Sequence, residues 1–127
     1  MENEKESVKV LIVDDEQDIR TLLNIYLKRL GYDVVEAADG VEAVETVRAD
    51  KDIDLIVMDI MMPNMSGETC LKKLKENPSF NTPVIALTAD AVAGAKERYL
   101  SEGFKDYLQK PFSREQMKEK LNNIFRN

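Results

Sequence analysis

The sequence predicts an α/β domain, a parallel sheet with helices packed on both faces. Two features point there. Strand-like and helix-like segments alternate five times along the 127 residues, and three of the strand-like segments are unbroken apolar runs. Such runs mark strands covered on both sides. Consecutive βα units close into a parallel sheet through right-handed crossovers. Functional groups in such sheets collect at the carboxyl ends of the strands.

The first strand is expected over residues 8–13, where Val8, Val10, Leu11, Ile12 and Val13 form the apolar run. A helix follows, with Ile19, Leu22, Leu23, Tyr26, Leu27 and Leu30 on one face and Gly31 as its stop. Residues 33–36 form a second strand, and Val41, Val44 and Val47 mark the apolar stripe of a second helix. The third strand is expected over 54–58, and the helix after it begins near Ser66 or Gly67, with Leu71 and Leu74 facing the core. Residues 84–87 give a fourth strand, followed by a helix over about 91–101 that ends before Gly103. The fifth strand is expected over 105–108. The last helix is entered through Ser113 with Gln116 three residues on, a capping-box spacing, and carries Met117, Leu121, Ile124 and Phe125. Pro63, Pro78 and Pro83 all fall in the connecting loops.

Composition excludes several classes of function. Hydrophobic residues make up 43% and charged residues 33%, the balance of a globular chain long enough for one core. The net charge of −6, with no basic run, argues against direct nucleic-acid binding. No segment approaches the ~20 apolar residues of a membrane span, and the charged residues 1–7 read as a flexible tail rather than a signal peptide. The single cysteine, Cys70, cannot form an intramolecular disulfide and fits a reducing compartment as a small packed residue. A cytoplasmic protein without membrane contact is expected, with one domain over 8–127 and no room after the last helix for a second. Histidine is absent, so no step uses the chain's own imidazole.

The strand ends carry the chemistry. Asp14 and Asp15 follow the first strand, Asp59 the third, Thr88 the fourth, and Lys110 stands just beyond the fifth. In a parallel sheet these ends lie side by side. Each residue alone has a plainer reading: a solvated acidic turn, a helix cap, a strand-end hydroxyl, a surface lysine. Ser66 is the better cap candidate than Asp59, however. Two carboxylates ~4 Å apart repel by about 4 kcal/mol at an effective dielectric near 20, so a cluster of three persists if a proton is shared or a cation binds. Oxygen ligands without His or Cys suit Mg²⁺ or Mn²⁺, which commonly recruit phosphate oxygens. Lys110 would pair with Asp59 at rest and with a phosphoryl oxygen once one is attached.

Four stretches then carry a family resemblance. Leu11-Ile12-Val13-Asp14-Asp15-Glu16, Val57-Met58-Asp59-Ile60-Met61-Met62-Pro63 with Gly67 following, Ala86-Leu87-Thr88-Ala89 and Tyr107-Leu108-Gln109-Lys110-Pro111-Phe112 occur in order. Together they resemble the receiver domain of two-component response regulators, over residues 8–125. The resemblance implies a flavodoxin-like (βα)5 three-layer sandwich with five parallel strands in the order 2-1-3-4-5. It implies Asp59 as phosphoacceptor from a phosphohistidine, with Mg²⁺ (or Mn²⁺) held by Asp14, Asp15, Asp59 and the backbone carbonyl of Met61. Lys110 and Thr88 would each hold a phosphoryl oxygen, Tyr107 would be the switch aromatic, and the Lys110–Pro111 bond would be cis. Met61 and Asp90 border the attacking water in this scheme and would tune hydrolysis. Tyr107 has its own plainer reading as a core aromatic.

The implied function is a signalling switch that catalyses only its own phosphorylation and slow dephosphorylation. Its partners would be a histidine kinase or histidine phosphotransfer protein and a downstream protein target, reached through the surface of the fourth helix, fifth strand and fifth helix without an output domain. Phosphorylation-dependent dimerisation stays open. Free regulator, relay intermediate and excised hybrid-kinase receiver all fit. Two other classes compete: an Mg²⁺-dependent phosphohydrolase with an aspartyl nucleophile, and a receiver-like module that binds partners without phosphorylation. The phosphohydrolase lacks support because position 61 is Met rather than a second Asp.

Overall fold

The computed structural model describes residues 7–89 and 92–125. Along the chain lie β1 (Lys9–Val13), α1 (Gln17–Arg29), β2 (Asp33–Ala37), α2 (Gly40–Ala49), β3 (Leu55–Asp59), α3 (Gly67–Lys75), β4 (Val84–Thr88), α4 (Ala95–Ser101), β5 (Asp106–Gln109) and α5 (Arg114–Phe125). All neighbouring strands pair in parallel, in the order β2-β1-β3-β4-β5. This is the flavodoxin-like (βα)5 architecture expected from the sequence.

The sheet's period-2 alternation sorts the core into two halves. Val10, Ile12, Leu55, Val57, Ile85, Leu87 and Leu108 point to one face, where they meet Leu23 and Leu27 of α1 and Met117 and Leu121 of α5. Leu11, Val13, Ile56, Met58, Val84 and Ala86 point to the other and meet Val44 of α2, Leu71 and Leu74 of α3, and Tyr99 of α4. The three central strands are buried at nearly every position, which is why they read as continuous apolar runs.

Local signals hold at several helix ends. The Ser66 hydroxyl accepts from the Thr69 N–H at 3.1 Å and starts α3. Ser113 and Gln116 form the reciprocal capping box, with Ser113 N–H donating to Gln116 Oε1 at 2.8 Å and Gln116 N–H donating to Ser113 Oγ at 3.1 Å. Gly31 follows α1 and its N–H donates to the Lys28 carbonyl.

Three expectations shift. Strands β2, β3, β4 and β5 each run one residue further than read; at the site, Asp59 pairs with Leu87 and Thr88 with Gln109 in register, and the Ile60 N–H donates to the Leu87 carbonyl at 3.0 Å. Asp59 and Thr88 are therefore inside strands rather than after them. Helix α4 starts at Ala95, not near 91: Gly94 holds φ at +87°, a left-handed conformation that stops a helix from running through it. Residues 90 and 91 lie outside the described residues, as do residues 1–6 of the expected tail. In α2 the buried stripe is Ala43 and Val44 with Val47 packed beside it, while Val41 is exposed in the first turn.

Gly67 brings α3 down onto the end of β3. Its N–H donates to the Ile60 carbonyl at 2.9 Å, and a Cβ there would lie 2.5 Å from the Asp59 carbonyl oxygen and 3.0 Å from Ile60 Cα. Both are backbone atoms, so neither yields cheaply. Gly67→Ala is expected to destabilise the fold by about 1–3 kcal/mol, the usual range for forced overpacking. An unchanged urea unfolding midpoint would show that the β3–α3 turn can open to admit the methyl group.

Candidate functional site

The sheet register builds the site. Val13 of β1 pairs with Met58 of β3, so the next residues, Asp14 and Asp59, emerge beside one another at the carboxyl edge. Both are buried, Asp14 fully and Asp59 to 3% exposure, while Asp15 faces solvent. Carboxylate oxygens of Asp14, Asp15 and Asp59 lie within 4.8 Å of one another. Lys110 arrives from β5, its N–H donating to the Thr88 carbonyl of β4 at 2.7 Å, and the Lys110–Pro111 bond that follows is cis. Its ammonium stands 3.1 Å from Asp14 Oδ2, 3.4 Å from Asp59 Oδ1 and 3.7 Å from Glu16 Oε1.

One ammonium does not satisfy this cluster. Asp14 Oδ1 accepts from the Glu16 N–H at 2.9 Å, but the buried Asp14 Oδ2 has no hydrogen-bond partner among the described residues, the Lys110 contact being an ion pair without hydrogen-bond alignment. A buried carboxylate oxygen met only by an ion pair, beside two more acids, belongs to the donor set a hard divalent cation takes.

Electrostatics agree. Burial first, then the charge of Asp14, push the Asp59 carboxyl up to about 6 against the pull of Lys110 and of the Met61 N–H. That N–H reaches Asp59 Oδ1 at 3.3 Å. Burial works to lower the Lys110 ammonium, but Asp14 and Asp59 outweigh it and its affinity for the proton is raised.

Thr88 is buried at 2% exposure. It shares the alternation of Val84 and Ala86, so it sits on the α4 side, whereas Asp59 shares that of Leu55 and Val57 on the α1/α5 side. Its hydroxyl lies 3.0 Å from the Tyr99 hydroxyl of α4. Tyr107 is half-buried, with its ring 6.2 Å from that of Tyr99 and the Lys120 ammonium 5.2 Å from its centroid. Met61 is 77% exposed at the rim. Asp90 lies outside the described residues. Cys70 is buried, and burial followed by the charge of Asp39 pushes its thiol up to about 11, as suits a packed residue rather than a nucleophile.

The structure thus brings Asp14, Asp15, Asp59 and Lys110 together as read, with Thr88 at the adjoining strand end. Sequence reasoning missed Tyr99, whose only signal was its position four residues after Ala95, one buried helical face. It also missed Arg20, which donates to the Asp14 carbonyl at 2.7 Å and fixes the acidic turn.

Residues 10–122 match the family model of the response regulator receiver domain. The chain belongs to that family. Among curated relatives of this receiver domain, it is 40% identical over 118 residues to the alkaline phosphatase synthesis transcriptional regulatory protein PhoP of Bacillus subtilis, covering 93% of this chain and 48% of that protein. It is 37% identical over 116 residues to chemotaxis protein CheY1 of Helicobacter pylori, covering 90% and 94%. Among solved structures, the CheX–CheY–BeF3–Mg²⁺ complex from Borrelia burgdorferi superposes with a TM-score of 0.87 at 31% identity, covering 94% of this chain and 90% of that one. The chain spans about half the length of PhoP. Receiver domains act in phosphorylation-dependent two-component signalling, and response regulators interact with histidine kinases and downstream targets. Among the described residues no helix of this receiver is long and apolar enough to cross a membrane.

The raised Asp59 carboxyl makes a signed prediction. Its proton affinity moves from 3.8 in an unperturbed chain to about 6 in the fold. Between those values the folded receiver holds a proton that the unfolded chain has released, so this group's contribution to stability falls as pH rises from 3.8 to about 6 and stays lost above. Asp59→Asn removes the penalty. Without divalent cations it is expected to raise the unfolding free energy at neutral pH by on the order of 1–3 kcal/mol and to flatten that slope. Denaturant titrations across the window check both, and a destabilised Asn variant at neutral pH would contradict the electrostatic account.

Proposed function

We propose that this receiver is a switch in which Asp59 accepts a phosphoryl group from the phosphohistidine of a histidine kinase or histidine phosphotransfer protein. The observation that carries the reading is the meeting of Asp14, Asp15 and Asp59 within 4.8 Å, with the Lys110 ammonium 3.4 Å from Asp59. An Asp59 carboxylate oxygen attacks phosphorus in line, the P–N bond to the donor imidazole breaks with its electron pair going to nitrogen, and the imidazole leaves neutral, its other nitrogen already carrying the proton. Phosphoryl transfer of this kind needs alignment and charge stabilisation more than covalent help from the protein. A Mg²⁺ ion (or Mn²⁺) held by Asp14, Asp15, Asp59 and the Met61 carbonyl would neutralise charge on the phosphoryl oxygens.

The chain's own residues do the rest. Lys110 leaves its resting carboxylates for a phosphoryl oxygen, and Thr88 donates its hydroxyl to another. Burial excludes bulk water from Asp59. The new charge biases a two-state surface built from α4, β5 and α5, with Tyr107 turning inward as Thr88 moves. Catalysis is confined to the receiver's own phosphorylation and slow dephosphorylation. The setting is the cytoplasm, in keeping with the free thiol of Cys70. Phosphorylation-dependent dimerisation through the same surface would appear as a larger species on sizing the labelled chain.

The test is incubation with Mg²⁺ and acetyl phosphate. The expected outcome is an acid-stable, base-labile mass gain of one phosphoryl group that is lost in Asp59→Asn and slowed about a hundredfold in Lys110→Ala. No mass gain would leave a partner-binding module, and turnover of unrelated phosphate esters would mean a phosphohydrolase. Met61 and Asp90 are proposed to set the lifetime of the product, one apolar at the rim and one able to orient or repel water. Replacing both with alanine is expected to shift the dephosphorylation half-life, and an unaltered half-life removes them from that role.

A further inference from the structure

The Thr88–Tyr99 contact has a consequence for the switch. Both hydroxyls are buried, at 2% and 1% exposure, and lie 3.0 Å apart. Thr88 belongs to β4 and Tyr99 to the middle of α4, so the bond joins the edge of the phosphorylation site to a helix of the output surface. Tyr99 is otherwise seated by rings, that of Phe104 at 5.9 Å and that of Tyr107 at 6.2 Å, with the Arg98 guanidinium 4.7 Å over its own. Its hydroxyl is aimed at the strand end, where it meets Thr88.

Thr88 and Asp59 take opposite alternation on adjacent strands. With Asp59 on the opposite face, a Thr88 side chain that turns to donate to a phosphoryl oxygen there moves between discrete χ1 wells rather than by a continuous swing, because it is β-branched. Such a change carries the hydroxyl away from Tyr99. We infer that Tyr99 is the positioning residue that holds Thr88 on helix α4 at rest, a bond that phosphorylation of Asp59 breaks and that α4 thereby senses. The inference rests on the phosphoacceptor reading above. Losing the bond leaves a buried tyrosine hydroxyl unsatisfied, and a buried polar group does not stay so without cost. The relief is a shift of Tyr99 and of the helix that carries it, against Phe104 and Tyr107.

Tyr99→Phe tests this by deleting the hydroxyl while keeping the ring. With the resting hold gone, Mg²⁺-dependent beryllofluoride binding is expected to tighten, and acetyl phosphate labelling to quicken, by about tenfold. In a Thr88→Ala background the same change is expected to do nothing, a dependence that a merely structural tyrosine would not show. Equal or weaker beryllofluoride binding in Tyr99→Phe, or the same gain with and without Thr88, overturns the inference. Unaltered chain that takes no label overturns the phosphoacceptor reading and this one together, whereas normal labelling with an indifferent Tyr99→Phe sinks this one alone. A second readout needs no substitution of the ring. With 3-fluorotyrosine at position 99, beryllofluoride is expected to shift the ¹⁹F resonance in the otherwise unaltered chain and leave it in place in Thr88→Ala. A resonance unmoved in both is contrary to the proposal.

Discussion

The burial of two carboxylates side by side at one sheet edge sets the character of this molecule's site. Asp14 and Asp59 emerge from adjacent strands in register, neither reaches bulk water, and a single ammonium stands between them. Folding places them there because the apolar residues before each aspartate must be buried, and the pleat leaves no other exit for the side chains that follow. The unfavourable electrostatics are local and the hydrophobic gain is spread over the whole sheet, so the fold tolerates the cluster. What remains is an edge that favours whatever adds positive charge and that holds a carboxyl of raised proton affinity. A group with that character in a cleft is a functional candidate on physical grounds alone.

The same constraint explains why the architecture was legible in the chain. Strands buried on both faces have no polar positions to spare, so β1, β3 and β4 appear as apolar runs and the polar residue that ends each run appears at the sheet edge. Caps were equally legible where a side chain makes the bond, as at Ser66 and at Ser113 with Gln116. Where the backbone decides, the sequence misled. The last strand residues, Asp59 and Thr88, read as loop because apolar pattern ended before them, yet ladder hydrogen bonds continue past the pattern. Helix α4 read too long at its start because Val92 and Ala93 look helical, while the left-handed turn at Gly94 overrides their propensity.

The acidic cluster and Lys110 were legible because strand ends in a parallel sheet are neighbours by topology. Tyr99 was not. Its contact with Thr88 depends on which way β4's last side chain points and on the angle at which α4 crosses the sheet, and only the first of these is written in the alternation. Arg20 escaped for a similar reason, since its partner is a backbone carbonyl, which leaves no complementary residue type to look for.

The position of Tyr99 also bears on why α4, rather than another helix, suits a moving part. It is seven residues long, the shortest of the described helices, and begins at a glycine with no side-chain cap, whereas α1 has 13 residues and α5 has 12 with a capping box behind it. A helix of two turns has few internal hydrogen bonds to hold it in place, and α4 buries only Ala95 and Tyr99 from its own length. Its seat is therefore set largely by one side chain. A helix anchored by a dozen contacts would average away the loss of one bond, but one anchored through a single buried tyrosine has its equilibrium position tied to the state of that tyrosine's hydroxyl. Low local stability is what a two-state element requires, and here it falls on the segment that touches Thr88 beside the acidic cluster.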